Sequence, residues 1–296
     1  MNKPQKTVMT EQDISQQLNP KQPLLVFGGP YSNLHATRAL QHRAQQLNIP
    51  PSHCICTGDT VAYCASPKET VTLLRDWGVT VLMGNCEESL ADNADDCGCG
   101  FAGGSQCDLL SVQWYRYAKT QLTGDQRTWL KQLPRKIVFR FNGFQCQVVH
   151  GAVTSINRFV FPSDADTVFA EEFAHTKADI IFSGHSGIPF TRQIGDKENK
   201  KLWHNTGAIG LPANDGSTNT WYSLIHSVSP GKIRIEHHPL SYDFNAAKWE
   251  MITAGLNNGY AHALSSGLWP SMDILPSAER LNQGVALKAR QVEWSL

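Results

Sequence analysis

The sequence predicts an α/β fold with mixed sheets, and three observations support this. Apolar runs alternate with helix-like segments between residues 24 and 83. Short polar motifs directly follow five of the apolar runs in the chain, as expected where strands end at the ligand-binding edge of an open sheet. The pair Asn142-Gly143 lies between two β-rich runs and predicts an antiparallel hairpin. Parallel and antiparallel pairing are therefore both expected.

The first part of the chain predicts a β-α-β-α-β unit. Asn33 can cap the first helix, and Pro67 can open the second. Such alternation favours a parallel sheet with right-handed crossovers. The expected strands lie near 24–28, 53–57 and 79–83, and the expected helices near 33–47 and 67–77.

A Cys- and Gly-rich segment at about 88–108 interrupts this alternation, and we expect an inserted loop there. Beyond it, helices are expected at 108–122, 123–132 and 163–175. Strands are expected at 136–141, 144–149, 179–183, 188–194, 201–204, 219–226 and 231–237. The segment from Asp243 to about residue 264 reads as helical, and the Pro-rich remainder as an arm packed on the surface.

Composition limits the classes of protein that this chain can be. Its 296 residues are 41% hydrophobic and 18% charged, which suits one domain over 23–296 with a sizeable core. Residues 1–22 are polar and predict a flexible N-terminal extension without the apolar stretch of a signal peptide. No run of about 18 apolar residues occurs, so no membrane span is expected.

Charge and cysteine content bear on partners and location. Lys plus Arg equals Asp plus Glu at 26 each, so the chain has no bulk attraction for nucleic acid. Eight cysteines without an export signal predict reduced thiols and a cytoplasmic location.

Polar residues behind three of the apolar runs form a candidate metal set. Asp59, Asn85 and His150 stand at matching places after separate predicted strands. A carboxylate, an amide oxygen and imidazoles suit Mn, Fe, Co, Ni or Zn better than Ca. Each residue alone is a weak signal, because an Asp after a Gly is usually a turn residue and a single His usually lies in the core or at the surface. Their order along the chain and their shared position behind predicted strands support the hypothesis of a metal site.

The ordered series Gly58-Asp59, Gly84-Asn85, His150-Gly151 and Gly184-His185 resembles the calcineurin-like metallophosphoesterase family. It is most similar to the small bacterial members that resemble phosphodiesterases and diadenosine tetraphosphatases. The stretch from Asn205 to Gly210 adds to the resemblance, which covers roughly 23–264. The resemblance implies a four-layer αββα sandwich with mixed sheets and the metals at the strand ends.

The family pattern supplies two metals through seven side chains. Gly29, Tyr31 and Gly187 stand where three ligands of the first metal are expected. The remaining four ligands form the complete second-metal set, namely Asp59, Asn85, His150 and His185. The resemblance therefore implies one divalent or ferric ion (Mn, Fe, Zn, Co or Ni), with a second only if Tyr31 or cysteines substitute for the missing ligands.

Further candidates follow from the same resemblance and from position. The catalytic candidates are His150, Asn85 and Cys86, and Cys86 replaces a family His that acts near the leaving group. The turn at 28–33 could bind phosphate through backbone N–H groups, although a simple strand-to-helix turn is the favoured explanation. The candidates for substrate binding are Tyr31, Asn33, Arg158, Arg192 and Asn205, and a surface position is the default for either arginine.

Cys86, Cys97 and Cys99 form a possible extra metal or redox site. Thiolates would favour Zn, Fe or an iron–sulfur centre. The Cys-x-Cys spacing alone fits no standard zinc template, so plain loop cysteines remain the alternative.

The leading functional hypothesis is metal-dependent hydrolysis of a phosphate ester or anhydride, with a phosphodiester or nucleotide-like substrate. One alternative is a non-catalytic relative that binds a nucleotide or phosphorylated ligand as a sensor. A second alternative is a metal-thiolate enzyme with altered chemistry. The expected partner is a small phosphorylated molecule, with no membrane and no bulk nucleic-acid signal.

Overall fold

The computed structural model describes residues 10–196 and 199–295. The strands are β1 Glu11–Asp13, β2 Leu24–Phe27, β3 Cys54–Cys56, β4 Thr80–Val81, β5 Lys136–Phe141, β6 Phe144–Val148, β7 Ile180–Ser183, β8 Phe190–Ile194, β9 Lys201–Asn205, β10 Thr220–Ser229, β11 Lys232–Leu240 and β12 Arg290–Ser295. The helices are α1 Leu34–Gln46, α2 Pro67–Trp77, α3 Asn85–Ala91, α4 Gln106–Gln121, α5 Gly124–Lys131, α6 Asp166–Phe173, α7 Phe244–Thr253, α8 Gly259–Ser266 and α9 Ser277–Leu281.

The strands form two six-stranded mixed sheets. One has the order β1-β5-β6-β7-β9-β8, and the other has the order β12-β11-β10-β2-β3-β4. β2, β3 and β4 are parallel, as are β6, β7 and β9. The predicted hairpin is confirmed, since β5 and β6 pair antiparallel around Asn142-Gly143.

The two sheets pack face to face through a shared apolar core. Along β2, Leu24 and Val26 lie in this core, whereas Leu25 and Phe27 point to the opposite face, as the two-residue period of a strand requires. Helices α1, α2, α4, α5, α7 and α8 cover that opposite face through a second apolar cluster. Phe169 and Phe173 of α6 cover the outer face of the other sheet. These layers form the αββα sandwich that the family resemblance implied.

Both chain ends differ from the predictions. Residues 11–13 pair in parallel with β5, and Ile14 is fully buried, so part of the expected flexible extension over 1–22 is an edge strand. Residues 1–9 of that extension lie outside the described residues. Near the C terminus, β12 pairs with β11 and buries Trp294 in the inter-sheet core, rather than forming a surface arm. Both segments are short and largely polar, so only their pairing partners reveal them as strands.

The expected loop at 88–108 is shorter in the structure. Helix α3 extends to Ala91, and α4 begins at Gln106. The carboxylate of Glu87 accepts a hydrogen bond from the backbone N–H of Gly84, which caps the start of α3. The predicted interruption is therefore confined to the segment between these helices. Among the described residues, no helix is long and apolar enough to cross a membrane.

A buried polar network links the sheets at β8, β9, β10 and β11. The hydroxyl of Thr191 lies 2.8 Å from both His204 Nδ1 and His237 Nε2. His204 Nε2 lies 2.8 Å from the hydroxyl of Ser223. Burial and the charge of Arg290 lower the pKa of His237 to about 3. Burial and the neighbouring His237 lower the pKa of His204 well below its usual value. Both imidazoles are therefore neutral in the folded protein.

This network predicts that the protein loses stability in mild acid. In the unfolded chain a histidine binds a proton below about pH 6.5, whereas folded His237 binds it only near pH 3. The stability that neutral His237 contributes is therefore present above about pH 6.5 and is lost as the pH falls toward 3. The expected loss for His237 alone is about 2 kcal/mol at pH 5.

Urea unfolding of wild type and His237→Gln at pH 7 and pH 5 measures this effect. Between pH 7 and pH 5 the free energy of unfolding should fall less in the variant than in wild type, by about the 2 kcal/mol expected for His237. The matched control, His262→Gln, changes an exposed histidine and should retain the wild-type drop. Equal drops in wild type and His237→Gln would contradict the prediction.

Candidate metal and substrate site

Four polar side chains from both sheets meet where the parallel strands end. Asp59 follows β3, Asn85 begins α3 behind β4, His150 follows β6, and His185 follows β7. His150 Nε2 lies 3.0 Å from Asn85 Oδ1, 3.2 Å from Asp59 Oδ2 and 3.2 Å from His185 Nδ1. Ligand atoms of Asp59, His150 and His185 all lie within 4.8 Å of one another. The structure thus brings the predicted second-metal set together.

Backbone carbonyls set the orientation of the two imidazoles. His150 Nδ1 lies 2.7 Å from the carbonyl oxygen of Thr57, and His185 Nε2 lies 3.1 Å from that of Asn157. A carbonyl only accepts, so each of these nitrogens donates its N–H. His150 Nε2 and His185 Nδ1 are then the lone-pair nitrogens; His150 Nε2 faces Asp59 and Asn85, and His185 Nδ1 faces His150 Nε2. This is the orientation that metal-binding histidines normally have.

The amide of Asn85 is oriented in the same way. Its Nδ2 donates to the carbonyl oxygen of Cys97 at 3.0 Å and contacts Cys99 Sγ at 3.3 Å. Oδ1 is therefore the atom that faces His150, as a metal ligand requires. Asn85 is 1% exposed, so solvent does not compete with these contacts.

The electrostatics of the cluster favour a positive charge. Burial opposes charging of His150, but the carboxylate of Asp59 outweighs it and raises the pKa of His150. Burial alone would raise the pKa of Asp59, yet the charge of His150 lowers it. Burial and the neighbouring His150 lower the pKa of His185 to about 3. A carboxylate, an amide oxygen and two lone-pair nitrogens thus surround one point, and this donor set fits a Mn, Fe, Co, Ni or Zn ion.

Glu87, which the sequence analysis did not select, holds two ligand loops together. Its carboxylate accepts from the backbone N–H groups of Asp59 and Gly84 at 2.8 Å and of Val61 at 3.1 Å. It is fully buried, and burial with the nearby charge of Asp59 raises its pKa to about 7. A Cβ atom at Gly84 would lie 2.4 Å from Asp59 Oδ1, so only glycine permits this approach. The three-residue spacing between Gly84 and Glu87 at the start of α3 is the sequence signal that could have identified Glu87.

A cavity of about 50 Å³ opens beside Asp59 and His185. A water needs about 10–15 Å³ on such a measure, so the cavity holds a few water-sized groups, about the size of a phosphoryl group. Phe159 stacks on His185 with ring centroids 4.1 Å apart. The other aromatic lining residues are Tyr31, Tyr63, Phe101, Tyr260 and Trp269.

The candidates for substrate binding lie in different environments. Tyr31 lines the cavity and is 4% exposed, and burial with the charge of Asp59 raises the pKa of its phenol. Asn33 caps α1 by accepting from Ala36 N, and its Nδ2 donates to the carbonyl of Gly210. Asn205 donates to the carbonyl of Gly184 at 2.6 Å and so supports the turn that carries His185.

Both candidate arginines are engaged in ion pairs away from the cavity lining. Arg158 Nη1 lies 2.6 Å from the fully buried Glu172. Arg192 Nη2 lies 2.5 Å from Asp166, and its Nη1 donates to backbone carbonyls of Pro162 and Asp164. The structure does not place either guanidinium beside Asp59 or His185.

The three cysteines selected from the sequence lie together behind Asn85. Cys97 and Cys99 form a disulfide, and the other six cysteines are free. The expectation of reduced thiols throughout therefore differs from the structure, because Gly98 with φ +64° turns the chain so that the two cysteines face each other. Cys86 Sγ lies 4.0 Å from Cys99 Sγ, and burial raises the pKa of the Cys86 thiol. Cys86 does not line the cavity.

The fold and this ligand cluster define a class of protein. A profile of the calcineurin-like phosphoesterase superfamily domain matches residues 29–227, more than half of the chain. The chain therefore belongs to the calcineurin-like phosphoesterase superfamily, a family of metal-dependent phosphoester hydrolases.

Individual proteins resemble the chain over most of its length. An uncharacterized protein of Methanocaldococcus jannaschii is 26% identical over 246 residues, covering 77% of this chain and 90% of the relative. A metallophosphoesterase from Sphaerobacter thermophilus superposes with a TM-score of 0.65 at 19% identity, covering 83% of this chain and 99% of that one. A hypothetical protein from Pyrococcus horikoshii superposes with a TM-score of 0.68 at 14% identity, covering 83% of this chain and 98% of that one. At these identities the solved structures establish the shared fold.

Removing the side chain of Glu87 should weaken both the fold and the ion site. Glu87→Ala leaves three backbone N–H groups without their acceptor, with an expected loss of about 2–4 kcal/mol in the free energy of unfolding. Metal affinity should fall because Asp59 and Asn85 lose their alignment. Urea unfolding and metal titration measure the two effects. The control Glu88→Gln changes the adjacent, partly exposed carboxylate and should cost less than about 1 kcal/mol.

The contact between Asn85 and Cys99 should tune metal affinity. Cys99→Ala removes a sulfur that contacts Asn85 Nδ2 and also removes the disulfide, so the affinity should fall about tenfold. Cys146→Ala removes a buried thiol from the core between the sheets and should leave the affinity unchanged. An equal affinity in Cys99→Ala and wild type, by metal titration, would show that this contact does not orient Asn85.

Proposed function

We propose that the chain hydrolyses a phosphate ester or anhydride, with a phosphodiester or nucleotide-like substrate, at a single metal site. The observation that supports this most is that Asn85 Oδ1, Asp59 Oδ2 and His185 Nδ1 all lie within 3.2 Å of His150 Nε2. The donors are pre-oriented by backbone contacts, so binding an ion requires little rearrangement.

Each ligand has a defined task in this proposal. Asp59 supplies the one formal negative charge, and the imidazoles of His150 and His185 supply neutral nitrogen donors. When bound, the ion supplies Lewis-acid polarisation of a phosphoryl oxygen and lowers the pKa of a bound water. The carbonyl contacts of Thr57 and Asn157 prevent either imidazole from rotating away. The adjoining cavity gives the phosphoryl group a place beside Asp59 and His185.

A second candidate is a protein that binds a phosphorylated ligand without turnover. The position of Cys86 favours it, because this thiol is 1% exposed and lies behind Asn85 rather than on the cavity. No proton can pass directly from Cys86 to a leaving group in the cavity. Metal binding would then serve ligand recognition alone.

Metal analysis and turnover of bis(4-nitrophenyl) phosphate test the proposal. Wild type should contain one transition-metal ion per chain and hydrolyse this diester. His150→Ala should lower both the metal content and the turnover, the latter at least about 100-fold. The control His42→Gln changes an exposed histidine and should behave as wild type.

Two other outcomes discriminate between the candidates. Bound metal without turnover would support the ligand-binding protein. A wild-type protein that takes up no metal, together with no effect of Asn85→Ala, would overturn the proposed site.

A further inference from the structure

Three tyrosine side chains line the cavity next to Asp59 and His185, namely Tyr31, Tyr63 and Tyr260. Tyr31 and Tyr63 contact edge to face at 4.8 Å, and Tyr63 stacks on Tyr260 at 4.2 Å between ring centroids. Within residues 10–196 and 199–295, none of the three hydroxyls has a hydrogen-bond partner, and none is fully enclosed. Most buried polar groups have a partner, so these hydroxyls are available to a ligand.

The ring of Tyr31 occupies space that glycine leaves open at positions 29 and 187. A Cβ atom at Gly29 would lie 2.4 Å from Tyr31 Cζ, so any larger residue at position 29 would displace the ring. The hydroxyl of Tyr31 lies 4.0 Å from the point where a Cβ atom of Gly187 would be. Tyr31 itself has φ +50°, a conformation that is costly for an aromatic residue. The phenol therefore fills the space between Gly29 and Gly187.

The charge of the cavity is also unusual for a site that binds phosphate. Among the described residues that line it, none is Lys or Arg. A divalent ion beside the carboxylate of Asp59 carries a net charge of about +1, and the buried carboxyl of Glu87 can only lower this charge, so the site balances at most one negative charge. A dianion would leave at least one charge uncompensated in a cavity lined mainly by apolar and aromatic side chains, which is unfavourable.

We infer that this cavity binds the phosphoryl group of a singly charged phosphodiester, with the hydroxyls of Tyr31, Tyr63 and Tyr260 as neutral hydrogen-bond donors. The inference rests on the proposed function and names its substrate class. The three phenols donate hydrogen bonds without adding positive charge, whereas a doubly charged phosphomonoester would need cationic side chains to balance its second charge. Tyr31, whose backbone N–H donates to the carbonyl oxygen of Asp59 at 3.0 Å, is the main donor to a non-bridging oxygen.

Turnover of two chromogenic esters by the metal-loaded protein tests this inference. At pH 8, bis(4-nitrophenyl) phosphate carries one negative charge and 4-nitrophenyl phosphate carries two. We expect kcat/KM for the diester to exceed that for the monoester at least about tenfold. Tyr31→Phe removes only the hydroxyl and should lower kcat/KM for the diester about 10- to 100-fold, with the metal content unchanged.

The matched control is Tyr222→Phe, which removes a buried hydroxyl that contacts Arg43 away from the cavity and should leave kcat/KM unchanged. The inference is overturned if the monoester is preferred, if Tyr31→Phe stays within twofold of wild type, or if Tyr31→Phe loses its metal. Loss of metal would make Tyr31 a ligand rather than a donor to substrate.

Calorimetric titration with diphenyl phosphate separates this inference from the proposed function. If wild type hydrolyses neither ester, the proposed hydrolysis fails, but the cavity can still be tested by binding. Diphenyl phosphate that binds wild type and binds Tyr31→Phe at least tenfold more weakly would support the inference. No binding to wild type, or equal binding to both proteins, would overturn it.

Discussion

The hydrogen bond between His150 Nδ1 and the carbonyl oxygen of Thr57 is the contact on which the site depends. It joins the end of β6 in one sheet to the end of β3 in the other, at 2.7 Å and out of contact with solvent. The bond requires that Nδ1 carries the proton, so Nε2 faces Asp59, Asn85 and His185. The inter-sheet core fixes the distance between these strand ends. The geometry of the site is therefore a consequence of sheet packing.

Around this contact, one carboxylate faces the position where a cation would be stabilised, and the other is occupied by backbone hydrogen bonds. Asp59 is the carboxylate facing the two imidazoles, whereas the carboxylate of Glu87 is turned toward three backbone N–H groups. Four non-glycine residues at the site have left-handed φ values, namely Tyr31, Asp59, Tyr63 and His185. Such values persist only where the surrounding contacts determine them, and they are common at functional sites.

Most of the fold was predictable because its signals are local. Strand runs, the Asn142-Gly143 turn and the helix starts at Asn33 and Pro67 each depend on a few neighbouring residues. The edge strands β1 and β12 were not predicted, because each contains few apolar residues and is defined by its pairing partner. Strand-end positions predicted that Asp59, Asn85 and His150 would lie together, and the family resemblance added His185. The hydroxyls of Tyr63 and Tyr260 were not selected, because their roles arise only from contacts distant in sequence. Glu87 was also not selected, because its contacts with Asp59 and Val61 are distant in sequence, although its contact with Gly84 is local.

The sequence by itself determined which donors are available and in what order the strands deliver them, because both are properties of local patterns. The tertiary structure alone decided how those donors are used. It set the proton positions on His150 and His185, paired Arg158 and Arg192 with carboxylates, and joined Cys97 to Cys99. It also filled the space between Gly29 and Gly187 with the ring of Tyr31. The physical reason is that hydrogen bonds, ion pairs and steric contacts depend on distances that only the folded chain creates.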